Sequence, residues 1–201
     1  MSHDKHQQFY DTLAAEWDLW FTAEDLERLA HFVNGLPVKN GMAIMDLGCG
    51  TGVLFDLLRR RVGETGSVTG VDFSMAMAQK AHRNFPFGNI NVVDADAAML
   101  PFADSTFDMA VAFAAFPHFS DPQKAIDETH RVLKPKTSFH IIHLVSSKEL
   151  SELHHRIGGV VAHDEIPPAN KLRDMLNTSK FTGIVIEDHP GLYLATAVNL
   201  K

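Results

Sequence analysis

The stretch from Met42 to Val62 limits the fold more than any other part of the chain. Met42-Ala-Ile-Met-Asp46 is an apolar run of strand length, and Gly48-Cys-Gly-Thr-Gly52 follows it as a glycine-rich turn. Val53 to Val62 carries apolar residues at 53, 54, 57, 58 and 62, the spacing of one helix face, with arginines toward its C-terminal end. A strand, a tight glycine turn and a helix in succession predict a parallel sheet covered by helices.

The alternation continues. Ser67-Val-Thr-Gly-Val71 reads as a second strand ending at Asp72, and Ser74 is placed to cap a helix from Met75 to Asn84. Strands are predicted at 90–93, 107–113 and 138–145, with a helix over 122–133 capped by Asp121. Two strand-like runs, 181–187 and 192–198, joined by Asp188-His-Pro-Gly191, predict a β-hairpin that adds an antiparallel edge. Residues 5–36 should form two helices, the second opened by Thr22-Ala-Glu-Asp25, a capping box with Asp in place of Glu. The expected class is therefore α/β, a doubly wound, mostly parallel sheet with a C-terminal hairpin.

Composition narrows what such a sheet can serve. The 201 residues are 45% hydrophobic and 21% charged, with no repeat or linker, which suits a single domain with its own core. A single cysteine excludes a disulfide framework and fits a reducing, cytoplasmic compartment. The net charge of -7 argues against a nucleic-acid partner held by phosphate neutralisation. The opening MSHDKHQQFYDTLAAEWD is too polar for a leader, and no apolar run approaches the roughly 20 residues of a membrane span.

The glycine turn lies where open α/β sheets bind ligands, outside the carboxyl ends of the strands. A dinucleotide site would want glycine at position 53, where this chain has Val53. Asp46, just before the turn, would repel a diphosphate and attract a cationic amine. Asp72 stands 22 residues after Gly50, placed to accept both hydroxyls of a ribose. Together these residues suit a nucleoside with a positively charged tail and no phosphate.

At this point the chain resembles the class I S-adenosylmethionine-dependent methyltransferases, in particular the small group similar to methyltransferase type 11. The matching motifs are Asp46-Leu-Gly-Cys-Gly-Thr-Gly52, Gly70-Val-Asp-Phe-Ser74, Asp96-Ala-Ala-Met-Leu-Pro-Phe102, Ser105-Thr-Phe-Asp108 and Arg131-Val-Leu-Lys-Pro135, in order across residues 42–145. The resemblance implies a Rossmann-like sheet of seven strands, the last antiparallel, and S-adenosyl-L-methionine as cofactor. It implies that the turn (Asp46, Gly48, Cys49, Gly50) cradles the methionine part, and that Asp72 holds the ribose beside Phe73, Ser74 and Met77. Asp96 and Ala97 would read the adenine, Phe113 would lie against the cofactor, and Tyr10 and Trp17 would help lid it. Lys136-Thr137 departs from the two glycines usual after Lys-Pro in that family, a change expected to stay local. The chain would then divide into a helical lid (1–36), a cofactor-binding core (42–145), a helical acceptor-side insertion (146–180) and the hairpin (181–201).

Methyl transfer demands alignment and exclusion of water, with a base only where the acceptor must lose a proton. Ala112-Phe-Ala-Ala-Phe-Pro-His-Phe119, after the fourth strand, supplies small residues and apolar rings, so Phe116 and His118 are candidates to meet the substrate. Seven of the twelve histidines fall between His118 and His163. His140 and His143 sit an odd number of residues apart on one strand and so face opposite ways, with His143 nearer the carboxyl end. His118 and His143 are the candidate catalytic residues. His154 and His155 would lie about 100° apart on a short helix from Ser147, so at most one faces the cleft; His155 is the candidate, with Arg156 for an acceptor carboxylate. His3, His6, His31, His82, His130 and His189 fall on termini or surface positions, and no metal site is assigned. The expected partner is a small-molecule acceptor. Two other functions fit parts of the pattern: an NAD(P)-dependent oxidoreductase, which Val53 and Asp46 oppose, and a non-catalytic nucleoside-binding module whose histidines sense metal.

Overall fold

A computed structural model describes residues 2–201, with side chains from Asp4 onward. The chain runs α1 (Ser2–Leu13), α2 (Ala23–Gly35), β1 (Ala43–Leu47), α3 (Phe55–Val62), β2 (Ser67–Asp72), α4 (Met75–Asn84) and β3 (Ile90–Asp94). It continues through β4 (Phe107–Phe113), α5 (Pro122–Val132), β5 (Leu133–His143), α6 (Ser147–Ile157), α7 (Ala169–Thr178), β6 (Phe181–His189) and β7 (Leu192–Asn199). The seven strands form one sheet in the order β3-β2-β1-β4-β5-β7-β6. The first five pair in parallel, and β7 pairs antiparallel with both β5 and β6.

The strands alternate their side chains between two apolar layers. On one face Ile44, Val68, Met109, Val111 and Ile142 meet Leu29 and Val33 of α2 and Phe55 and Leu58 of α3. On the other, Met45, Leu47, Ala110, Phe139 and Ile141 meet Ile126 of α5 and Leu172 and Leu176 of α7. Burial on both faces is what lets the strands read as nearly continuous apolar runs.

The helix starts follow their caps. The Ser74 hydroxyl accepts from the Met77 amide at 3.2 Å, and Asp121 accepts from the Lys124 amide at 3.1 Å. Thr22 and Asp25 form the reciprocal capping box despite the shorter acid. The hairpin forms the antiparallel end of the sheet as expected, with β7 inside between β5 and β6 and β6 at the edge. Residues 169–178 form a full second helix within the helical insertion. One boundary needs correction. β5 begins at Leu133, five residues early, because Lys136 takes a left-handed φ of 63° and lets the strand continue through the Lys-Pro turn. That is a conformation glycine adopts without strain.

Candidate active site

Three cavities meet at the carboxyl ends of the parallel strands. One of about 520 Å³ is lined by Gly48, Cys49 and Gly50 of the turn, by Asp72, Phe73 and Met77, and by Tyr10, Trp17 and Phe113. A smaller one of about 300 Å³ continues from it along Asp72 to Ala95, Asp96, Ala97 and Ser120. A third, about 920 Å³, opens on the other side of Phe113 and Ala114 and is walled by Trp20, Phe21, His143, Leu150, Leu153, His154 and Val161. His118 borders all three.

The turn is shaped for a close approach. Gly48 has φ 76°, and a Cβ there would come within 2.3 Å of the Ala115 Cβ. Gly50 has φ 53°, and its Cβ would come within 3.2 Å of Trp17 Nε1. Asp72 ties the turn to the next helix: its carboxylate accepts from the Gly50 amide at 2.7 Å and from the Ser74 amide at 2.9 Å. Burial raises its pKa to about 6, against the pull of those two amides. Burial, with Asp72 and Asp46 close by, keeps the Cys49 thiol neutral by pushing its pKa up.

Asp46 ends up beneath the turn, 1% exposed, and lines none of the three cavities. Both carboxylate oxygens lack a hydrogen-bond partner among the described residues. Burial, then the charge of Asp72, lifts its pKa to about 8. A buried acid without a partner next to a glycine cradle fits a ligand that brings positive charge, and the Asp72 carboxylate beside it fits ribose hydroxyls. The donor set therefore suits S-adenosyl-L-methionine. In the smaller cavity Asp96 accepts from the Ala98 amide at 2.8 Å and from the Ser120 hydroxyl at 3.3 Å.

The N-terminal segment covers this region. Asp11 accepts from the Ser74 hydroxyl at 2.6 Å and the Ala76 amide at 3.2 Å, which fastens α1 to the start of α4. Lys80 donates to the carbonyls of Ala14 and Ala15, both at 2.9 Å, and pairs with Asp18. Tyr10 is the centre of the resulting cluster, edge-on to Trp17, Phe73 and His118 at ring distances of 5.8, 5.9 and 5.2 Å.

The histidines sort by element. On β5, His140 and His143 do face opposite ways. His140 sits between the Ser138 and Thr196 hydroxyls at 2.8 and 3.0 Å, away from the cavities. His143 borders the largest cavity, 2% exposed, with neither ring nitrogen hydrogen-bonded, and burial drives its pKa down to about 3. On α6 the cleft-facing histidine is His154, not His155. Leu150, Leu153, His154 and Ile157 share the i, i+3, i+4, i+7 stripe that borders the cavity. His155 is on the solvent side, its Nδ1 2.8 Å from the Ser151 carbonyl. Arg156 is exposed on that side too, and Phe116 is fully buried in the core and reaches none of the three cavities. His6, read as a terminal surface residue, instead meets Asp164 at 2.9 Å, and the side chain of His3 lies outside the described residues. Asp164 and His154 are the site residues that spacing alone did not single out; the apolar stripe of α6 carried the signal for the second. Among the described residues no group of three or more His, Cys, Asp or Glu is arranged to hold a metal ion.

Residues 44–136 match the family model described as a methyltransferase domain. The 2-phytyl-1,4-naphtoquinone methyltransferase of a Nostoc species is 41% identical over 108 residues, 52% of this chain and 47% of its own length. The demethylmenaquinone methyltransferase of Desulfitobacterium hafniense is 39% identical over 107 residues, 51% of this chain and 42% of its own. This chain thus spans about half the length of the curated relatives it matches. Among solved structures, a methyltransferase in complex with the Haloferax volcanii Trm112 methyltransferase activator superposes with a TM-score of 0.79 at 20% identity, covering 96% of this chain and 98% of the other. A SAM-dependent methyltransferase from Aquifex aeolicus gives 0.66 at 23% identity, covering 88% and 90%. Both are likenesses of fold. Among the described residues no helix is long and apolar enough to cross a membrane.

Proposed function

Because the chain belongs to the class I S-adenosylmethionine-dependent methyltransferases, we propose that it transfers a methyl group to a small acceptor with an apolar ring and an ionisable hydroxyl or carbon. The observation that carries this is His118, whose side chain borders both cofactor-side cavities and the apolar cavity beyond them.

Bound, S-adenosyl-L-methionine supplies an electrophilic methyl on a sulfonium. Asp72 would accept from the ribose hydroxyls, Asp96 and Ala97 would meet the adenine edge, and Asp46 would balance the amine across the turn. The rings of Tyr10, Trp17 and Phe113 keep water from the junction and offer π-faces to positive charge. The acceptor occupies the largest of these three cavities, whose wall is aromatic and aliphatic apart from a few polar groups. His118 takes the acceptor's proton. His143 is a weak base in this setting and serves as a neutral hydrogen-bonding group to a polar substituent. His154 takes the place proposed for His155.

The relatives named for naphthoquinone and demethylmenaquinone chemistry support an apolar ring. The family match ends at residue 136, before the wall formed by His143 to Val161, so the acceptor rests on the cavity's chemistry.

Calorimetry with S-adenosylmethionine and its demethylated product tests the cofactor half: both are expected to bind, and no binding at millimolar cofactor overturns it. Asp72→Ala should weaken binding by about 2 kcal/mol, roughly thirtyfold in Kd. Labelled methyl offered to a reduced 1,4-naphthoquinone and to a primary amine tests the acceptor half. Transfer confined to the amine would sink the apolar-ring reading.

A further inference from the structure

Asp164, on the loop between α6 and α7, has no role in the methyl transfer outlined above, yet three imidazoles converge on it. Its Oδ2 lies 2.7 Å from His118 Nδ1 and 2.9 Å from His6 Nε2, and its Oδ1 is 3.2 Å from the same His6 nitrogen. Its backbone carbonyl is 2.5 Å from His154 Nδ1. One loop residue therefore gathers rings from α1, from the turn after β4 and from α6.

The chemistry of the partners fixes the protons. Burial pulls the Asp164 carboxyl up, but its hydrogen bond and charge interaction with His118, joined by His6, outweigh that and hold it below the usual carboxylate value. An ionised carboxylate only accepts, so His118 carries its proton on Nδ1 and leaves the Nε2 lone pair free. The side chains of His118 and Asp164 are 9% and 14% exposed, so little water competes for this pair.

We propose that Asp164 is the positioning residue for His118, fixing the Nδ1–H tautomer and presenting Nε2 as the base that accepts the acceptor's proton. This rests on the methyl-transfer reading. In the step the acceptor's O–H or C–H bond breaks and its proton goes to Nε2. The released electron pair forms the bond to the methyl carbon, and the donor sulfur keeps the pair of the bond it loses. The imidazolium left on His118 is balanced through Nδ1–H by the Asp164 carboxylate. His6 holds the same carboxylate from the lid, so the pair is assembled where α1 is packed down.

The competing role is a plain clasp, with Asp164 only fastening α1 to the α6–α7 loop. Long-range proton–nitrogen correlation spectra of the full chain labelled with 15N-histidine separate the two without cofactor, the His118 signals being assigned by their loss in His118→Asn. The groups that face this ring are Tyr10 and His6 from α1, His143 from β5, His154 from α6 and Asp164 itself.

The wild-type protein should show Nδ1–H at His118. Asp164→Ala should move the ring toward the Nε2–H form and lower its titration midpoint by about one pH unit. His6→Ala, which removes the clasp and keeps the pair, should leave the tautomer as it was. Nε2–H in the wild type overturns the proposal and needs no variant to fold. Equal changes in Asp164→Ala and His6→Ala also overturn it. Calorimetry on the same samples keeps the readings apart: an Nδ1–H ring in a protein that does not bind S-adenosylmethionine overturns the methyl-transfer reading and, with it, the assignment of Nε2 as its base.

Discussion

Asp46 and Asp72 end neighbouring strands, and the protein gives only one of them partners. Asp72 is held by two backbone amides, while Asp46 is buried with none. The folded-state pKa of Asp46, about 8, stands well above its value of 3.8 in an unfolded chain, so the folded protein keeps the proton longer. Its contribution to stability is therefore complete below about pH 4 and is lost as pH rises through 8. Asp46→Asn should match the wild type near pH 4 and gain on it by a few kcal/mol, in order of magnitude, at pH 8 in urea titrations. An identical difference at both pH values would refute the assignment. Entry of a cationic amine near this acid at pH 7 should expel its proton, visible as a buffer-dependent heat that Asp46→Asn lacks. Both acids could be picked from the sequence by their places at strand ends. That Asp46 would be left unpartnered could not, because pairing depends on which groups the turn brings near.

Among the elements, α6 is placed by its cap and turned by its apolar stripe. Its start was legible: Ser146 and Glu149 form a capping box, the hydroxyl accepting from the Glu149 amide at 3.2 Å. Ser146→Ala should cost about 1 kcal/mol in chemical denaturation and loosen the wall that carries Leu150 and His154. No loss beyond about 0.5 kcal/mol, the low end for removing a cap, would count against it. The rotation of α6 about its axis decides which histidine faces the cleft, and the apolar spacing at 150, 153 and 157 fixes that rotation in favour of His154. Leu172, Met175 and Leu176 follow Pro167-Pro168 with the same kind of spacing and mark α7. The start of β5 is hidden in the sequence because a lysine at a left-handed position looks like the end of an element.

Over the whole molecule, the alternation of strands and helices carried the sheet's composition and its site, because parallel strands with helical crossovers have few ways to wind. The order of the last two strands was harder to see, since a hairpin pattern does not say which strand joins the sheet. The N-terminal segment, held through Asp11, Lys80 and Trp17, joins distant parts of the chain around the cavities at the strand ends. Cofactor at a hundred times its Kd should add about 2.7 kcal/mol to the unfolding free energy, with amides of residues 5–21 gaining protection from hydrogen exchange. A rise in melting temperature without that protection would place the ligand elsewhere. β7 pairs with β5 from Thr137 to His143 and with β6 on its other side. A chain emerging from the ribosome therefore holds an open seam beside β5 until residue 199 has been made, and β6 has no neighbour in the sheet until then. The sheet is closed by the strand that comes after all its others in chain order, so until β7 is in place the inner edge of β5 is an open, unpaired strand edge.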